Sequence, residues 1–146
     1  MAATLDNLRG GSIDSQSRWH THLRLMGYQL NGVSVILPPF VRSTTLDNLR
    51  RDGAAVLNLT DEVTVIAGSP TGRRDWPALT THCVPGWRSS NAFAHRKLRV
   101  TECDDHAERP RFRLATELEG MHRPFRGSNR AQAAVVEVVI LLTRLD

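Results

Sequence analysis

Residues Phe40–Asp61 read FVRSTTLDNLRRDGAAVLNLTD. This stretch decides the fold. An apolar run before it ends at Pro38-Pro39, because proline has no N–H to give to a sheet ladder. Arg42 then precedes three consecutive hydroxyls, Ser43, Thr44 and Thr45. Ser43 is a good N-cap for a helix from Thr44 to about Arg51. Leu46 and Leu49 lie three apart and face inward, leaving Arg50, Arg51 and Asp52 in water. Gly53 is the expected stop, and Ala54–Leu59 is a short apolar run that reads as a buried strand. A helix start presents unpaired N–H groups and a partial positive charge, and a guanidinium binds two phosphate oxygens at once. A single cap, worth about 1 kcal/mol, accounts for Ser43 but not for three hydroxyls and an arginine. Arg42, Ser43, Thr44 and Thr45, with Asn48 one turn on, are therefore the candidate anion site.

Upstream, residues 1–18 hold few large apolar side chains and several Gly and Ser, so they read as a flexible lead-in to one domain over residues 19–146. Thr4–Arg9 and Thr45–Arg50 share the sequence TLDNLR. Six residues are too few for a structural repeat of about 20–50, so the coincidence carries no fold information. From His22 the pattern is that of strands: His22–Leu30, a turn at Asn31-Gly32, then Val33–Leu37 with alternate apolar residues.

Downstream, Thr60 or Asp61 caps a short helix of about Glu62–Ala67. Residues 69–90 carry Pro and Gly too often for a long element. Their Trp76 and Trp87 suit the edge of a core or the wall of a pocket. Arg96–Cys103 and Arg111–Leu118 alternate again and read as a second antiparallel pair. Ser128 or Asn129 caps the last helix, with Gln132 placed for a capping-box return. That helix is expected over about Arg130–Leu145 and, being apolar nearly all round, is expected to be long and buried on most sides, partly against another subunit. Gly127–Arg130 forms a second polar helix start, for which an ordinary cap is the simpler reading.

The chain has 146 residues, 19 Lys and Arg against 15 Asp and Glu, and two cysteines. No apolar run approaches the ~20 residues of a membrane span, and nothing resembles a secretory leader, so a cytoplasmic location is expected. The only lysine is Lys97, no run of basic residues exceeds two, and Tyr28 is the only tyrosine. This lacks the basic and aromatic stripe of a nucleic-acid surface. His82, Cys83, His95, Cys103 and His106 lack the paired spacings of a structural zinc site, so no metal is expected.

The motifs taken together resemble a known family. LMG at Leu25–Gly27, PF and STTLxNL within Pro39–Leu49, VLNLTD at Val56–Asp61, TGRRDWP at Thr71–Pro77, RGSNRA at Arg126–Ala131 and AAVVEVVILLTRL at Ala133–Leu145 fall in its order. The chain resembles the DUF447 family, whose members are similar to flavin-reductase-like split barrels that bind FMN. The resemblance implies an α+β, mainly β fold: a split β-barrel with helical additions, working as a homodimer with FMN at the subunit interface. It implies that Arg42, Ser43, Thr44, Thr45 and Asn48 bind the phosphate and ribityl chain. Asn58, Thr60 and Asp61 would lie near the flavin, as would Asn129 and Arg130. It also implies oxidoreductase-like chemistry, in a family some of whose members are associated with tetrahydromethanopterin-linked one-carbon metabolism. There are departures from the family pattern. Leu37-Pro38-Pro39-Phe40 stands where Leu-Arg-Pro-Phe is usual, Arg24–Gly27 stands where Ala-Pro-Met-Gly is usual, and no first barrel strand is recognisable before residue 20. The alternative reading is a member without flavin that serves as a binding or structural dimer.

Overall fold

The computed structural model describes residues 3–6, 23–73, 78–80, 87–105, 108–142 and 144–145. They form nine strands and three helices in the order β1 (Ala3–Asp6), β2 (Arg24–Met26), β3 (Gln29–Asn31), β4 (Ser34–Leu37), α1 (Thr44–Asp52), β5 (Ala54–Leu59), α2 (Val63–Gly68), β6 (Ala78–Thr80), β7 (Trp87–Ser89), β8 (Ala94–Asp104), β9 (Arg111–Met121) and α3 (Arg130–Leu142). Seven strands make one antiparallel sheet in the order β2-β1-β5-β8-β9-β4-β3, and β6 and β7 form a separate ribbon. The mainly β expectation holds.

The strand order forces the sheet to curl. β2 and β3 are its two edges, yet only Gly27 and Tyr28 separate them in the chain. Three consecutive Cα steps reach at most about 11 Å. Seven flat strands would set their edges roughly 29 Å apart. The sheet therefore wraps into a barrel whose seam, between β2 and β3, carries no ladder.

The barrel interior follows the period of two. Val35 and Leu37 of β4 pair with Leu114 and Phe112 of β9, and Ala55 of β5 pairs with Leu98 of β8. These side chains, with Leu57 and Met26, form one buried cluster, which Leu46 and Leu49 of α1 complete. β5 is buried along almost its whole length, because its alternate residues are covered from outside as well. Val65 and Ile66 of α2 and Val139 of α3 are buried outside the inner cluster, and α2 packs on α3. Ser69 ties this layer to the barrel edge: its hydroxyl accepts from the Leu25 N–H (3.1 Å) and donates to the Leu23 carbonyl.

Several expectations are corrected. Residues 3–6, expected in a flexible lead-in, form β1 between β2 and β5, so the first barrel strand has a counterpart. The Asn31-Gly32 turn is shifted by one residue: Asn31 pairs with Ser34, and Gly32-Val33 make the turn. Gly32 has φ 61° while Val33 is not left-handed, so the two-residue turn puts glycine first, as type II′ demands. The single strand expected over His22–Leu30 is two strands on opposite edges, broken at Gly27-Tyr28. α3 ends at Leu142 rather than Leu145, and Val139 is its one buried residue, so it is not the long enclosed helix its composition suggested. Apolarity all round specifies what a helix tolerates, and only contacts decide which faces are covered. Trp76 lies outside the described residues, and Trp87 opens β7, in a segment expected to be irregular.

Candidate functional site

The stretch from Phe40 to Asp61 folds as its sequence asks. Ser43 caps α1, its Oγ accepting from the Leu46 N–H at 3.2 Å. Gly53 ends α1 at φ 63°, with its N–H bonded to the Leu49 carbonyl. Just before the cap, the Ser43 N–H bonds to the Phe40 carbonyl at 3.2 Å, closing a four-residue turn. Arg42 is the third residue of that turn and has φ 61°, the only non-glycine residue described there with a left-handed backbone. A turn of this kind normally puts glycine at that position. Arg42 and Thr44 are exposed, whereas Thr45 and Asn48 are buried at 3% relative exposure. The Asn48 side-chain nitrogen has no hydrogen-bond partner in that buried position.

A second group gathers where β5 ends. Thr60 is buried and its hydroxyl is used twice, accepting from the Glu62 N–H (3.1 Å) and donating to the Asn91 carbonyl (3.3 Å). Thr60, rather than Asp61 or the helix's own N-cap Glu62, therefore tends the entry to α2. Asp61 is held by Arg123 through a two-pronged ion pair, one arm at 2.9 Å. That hydrogen bond keeps the Asp61 carboxyl below the usual carboxylate range, against an opposing effect of burial. The sheet makes the pairing possible. The Phe93 N–H bonds to the Leu59 carbonyl and the His122 N–H to the Phe93 carbonyl, carrying the β5-β8-β9 ladder past the strand ends to Arg123.

The head of α3 joins the same group. Asn129 and Gln132 form a reciprocal capping box, each side chain bonded to the other's backbone N–H at 2.8 and 2.9 Å. The Gln132 amide also donates to the Asp61 carbonyl at 3.3 Å, anchoring α3 to the end of β5. Asn129 is thus the cap that the sequence offered as one of two. Asp61, Glu62, Ser90, Asn91, Arg123, Arg126 and Gln132 line a polar pocket of about 520 Å³ here. Arg130 is exposed beside it in sequence.

Asn58 is fully buried in β5 opposite His95. Its side-chain carbonyl accepts from the Ser89 N–H at 2.9 Å, fastening β7 to the barrel, and its amide nitrogen has no partner. His95 is also buried and shares a 2.8 Å ring-nitrogen contact with His122, the two rings lying parallel with centroids 4.9 Å apart. Burial first, then the charge of His122 and more weakly of Arg88 and Lys97, lowers the His95 pKa to about 4. Gly120 faces this pair, and a Cβ there would lie 2.5 Å from His95 Cε1.

The structure thus unites Thr60, Asp61 and the head of α3, and separately unites Arg42, Ser43, Thr44, Thr45 and Asn48 in one helix start. It adds Asn91, Arg123 and Arg126, which the sequence reading did not single out. Only the register of three strands brings Arg123 to Asp61, and a one-dimensional pattern carries no such signal. Among the described residues, no three or more His, Cys, Asp or Glu side chains converge on a metal position. No helix among them is long and apolar enough to cross a membrane.

The model of the protein of unknown function (DUF447) N-terminal domain matches residues 14–123. The chain belongs to the DUF447 family. Among solved structures, this DUF447 chain is similar to an FMN-bound DUF447 protein from Methanosarcina mazei, at 15% identity and a TM-score of 0.76, covering 98% of this chain and 75% of that one. It is similar to the styrene monooxygenase flavin reductase of Pseudomonas putida, at 13% identity and a TM-score of 0.61, over 82% of this chain and 77% of the other. A Streptomyces globisporus NADH:FAD oxidoreductase matches at 8% identity and a TM-score of 0.62, over 83% and 75%. At these identities the likeness is one of fold, the FMN-binding split barrel. No curated protein matches the chain.

Proposed function

We propose that this DUF447 protein binds FMN, as a homodimer, and that the start of α1 holds the phosphate. The observation that carries the reading is Asn48. Its amide nitrogen is buried without an acceptor one turn behind Thr44 and Thr45, where the helix start, the Thr44 hydroxyl and the exposed Arg42 lie together. Leaving a buried donor unmade costs about 1–3 kcal/mol, and an acceptor-rich ligand removes that cost. The helix start adds backbone donors and a partial positive charge, and Arg42 adds two charge-assisted bonds to an anion. The residues present therefore fit a phosphate-bearing group.

In this reading Arg42, Ser43, Thr44, Thr45 and Asn48 bind the phosphate and ribityl chain. Asn58, Thr60 and Asp61, with Asn129 and Arg130 of α3, border the ring system. FMN supplies the redox chemistry through its isoalloxazine, and the polypeptide holds, orients and shields it. The flavin-bound family member and the flavin reductases of the same fold support an oxidoreductase-like role. The family resemblance alone supports the homodimer with FMN at its interface and the one-carbon setting.

Pro38 favours a second reading, a family member without flavin that acts as a structural dimer, because it stands where an arginine is usual. Titration of FMN into the wild type and Thr44→Ala/Thr45→Ala separates the two. We expect saturable quenching of flavin fluorescence by the wild type and at least ~10-fold weaker binding by the variant, for two lost hydrogen bonds. Equal affinities would remove the phosphate from α1. A wild type that never takes up flavin would establish the second reading.

A further inference from the structure

The connection between β8 and β9 is fastened to α1 at both ends of the helix. Asp105 pairs with Arg50 in the last turn of α1, Oδ1 to Nη2 at 2.9 Å. Arg109 reaches the entry to α1, where its guanidinium carbon lies 3.9 Å from the centroid of the Phe40 ring. Phe40 is the first residue of the turn closed by the Ser43 N–H, and Ser43 is the N-cap. The first and fourth Cα atoms of such a turn lie within about 7 Å. A cation from a distant strand connection is thus carried to the rim of the helix start.

Nothing neutralises that cation. Burial lowers the Arg109 pKa from its ordinary value, with no carboxylate to raise it. Among the described residues no hydrogen bond or ion pair holds the guanidinium, and the Phe40 ring is its one aromatic partner. Phe40 is not a core residue in need of cover. Burial alternates along residues 34–40, with Val35, Leu37 and Pro39 buried and Phe40 exposed on the other side of the chain. An exposed cation–π contact is weaker than a charge-assisted bond to an anion, so the ring parks the guanidinium without committing it. Arg42 stands in the same turn, exposed and with no carboxylate partner among the described residues. The Asn48 amide, buried without an acceptor, marks the same helix start from within. A phosphate monoester carries about −1.5 to −2 charges at pH 7, which two guanidinium groups match. We infer that Arg109 is the second guanidinium of the anion site at the start of α1, lodged on Phe40 until a phosphate monoester draws it over. The inference rests on the phosphate reading given above and adds a selectivity to it, for FMN over riboflavin.

Titration of FMN and of riboflavin into the full chain tests this, with Arg109→Gln and Thr44→Ala/Thr45→Ala beside the wild type. Arg109→Gln is expected to weaken FMN binding about tenfold and to leave riboflavin binding unchanged, because riboflavin has no phosphate. Inorganic phosphate alone should raise the urea midpoint of the wild type, and raise that of Arg109→Gln less. Phe40→Leu removes the parking place and keeps the cation, so it should bind FMN at least as tightly as the wild type. Urea unfolding without ligand shows that each variant is folded. Arg109→Gln losing both flavins equally, or neither, overturns the inference and makes Arg109 a cover for Phe40. The phosphate reading survives that result if Thr44→Ala/Thr45→Ala still loses FMN. Undiminished FMN binding by Thr44→Ala/Thr45→Ala, or a wild type that takes up no FMN, overturns the phosphate reading and the inference with it.

Discussion

Replacing Arg42 by glycine sets two consequences of one backbone angle against each other. Arg42 holds φ 61° as the third residue of the turn closed by the Ser43 N–H on the Phe40 carbonyl. A left-handed backbone costs a side-chain-bearing residue about 1–2 kcal/mol, and glycine nothing. Glycine also loses more freedom on folding, by about 0.5–1 kcal/mol. The balance leaves Arg42→Gly more stable than wild type by up to about 1.5 kcal/mol in the absence of ligand. A guanidinium–phosphate contact contributes about 1.5–3 kcal/mol when well formed, and less at this exposed position. The same substitution should therefore weaken FMN binding by about tenfold. Urea unfolding without flavin and fluorescence titration with it give the two numbers. Arg42→Lys is the control: it keeps the strain and one charge but loses the two-pronged geometry, so it should gain no stability and bind less tightly than wild type. The reasoning fails if Arg42→Gly unfolds at lower urea than wild type, which would mean that Arg42 has a structural bond. It fails equally if the variant binds FMN unchanged, since the strain would then serve no ligand.

Three further outcomes follow from the geometry. The unfolded chain takes up a proton at His95 near pH 6.5 and the native protein, where burial and then the charges of His122, Arg88 and Lys97 oppose it, only near 4. Stability from this site is thus complete above about pH 6.5 and falls by roughly 3 kcal/mol as the pH drops to about 4; urea midpoints across that range should flatten in His95→Gln. Gly120→Ala places a methyl group 2.5 Å from His95 Cε1 and 2.9 Å from Nδ1, and should cost about 1–3 kcal/mol. If the ring is the obstacle, that cost vanishes in a His95→Ala background; a loss that persists would refute it. Asn129→Ala removes half of the capping box on Gln132 and should cost about 1 kcal/mol by thermal unfolding, while Ser128→Ala, outside the box, should change nothing measurable.

Local chemistry made much of the candidate site legible. Ser43, the apolar pair Leu46 and Leu49, and Gly53 specify α1 through contacts within a few residues, and the structure has all three roles as read. The Asn129–Gln132 box is equally local. Arg123 was invisible because its partner Asp61 lies 62 residues away and is reached only through strand register. β1 was invisible for a related reason, and the repeated sequence shows why. Thr45-Leu46-Asp47 opens a helix behind a serine cap, where Leu46 enters the barrel core. Thr4-Leu5-Asp6, identical in sequence, is a strand, because it lies between the free edges of β2 and β5 and pairs with both. Helix propensity differs among these residues by only a few tenths of a kcal/mol each, and one cap contributes about 1 kcal/mol. Two ladders of backbone hydrogen bonds outweigh that preference, and the position equivalent to the cap Ser43 is Ala2, which has no side-chain acceptor. The shared letters Thr-Leu-Asp therefore carry no conformation of their own. What is fixed by the sequence at residues 40–53 is a cap, an apolar pair and a stop, and it is those, rather than the hexapeptide, that place Thr44, Thr45 and Asn48 at one helix start.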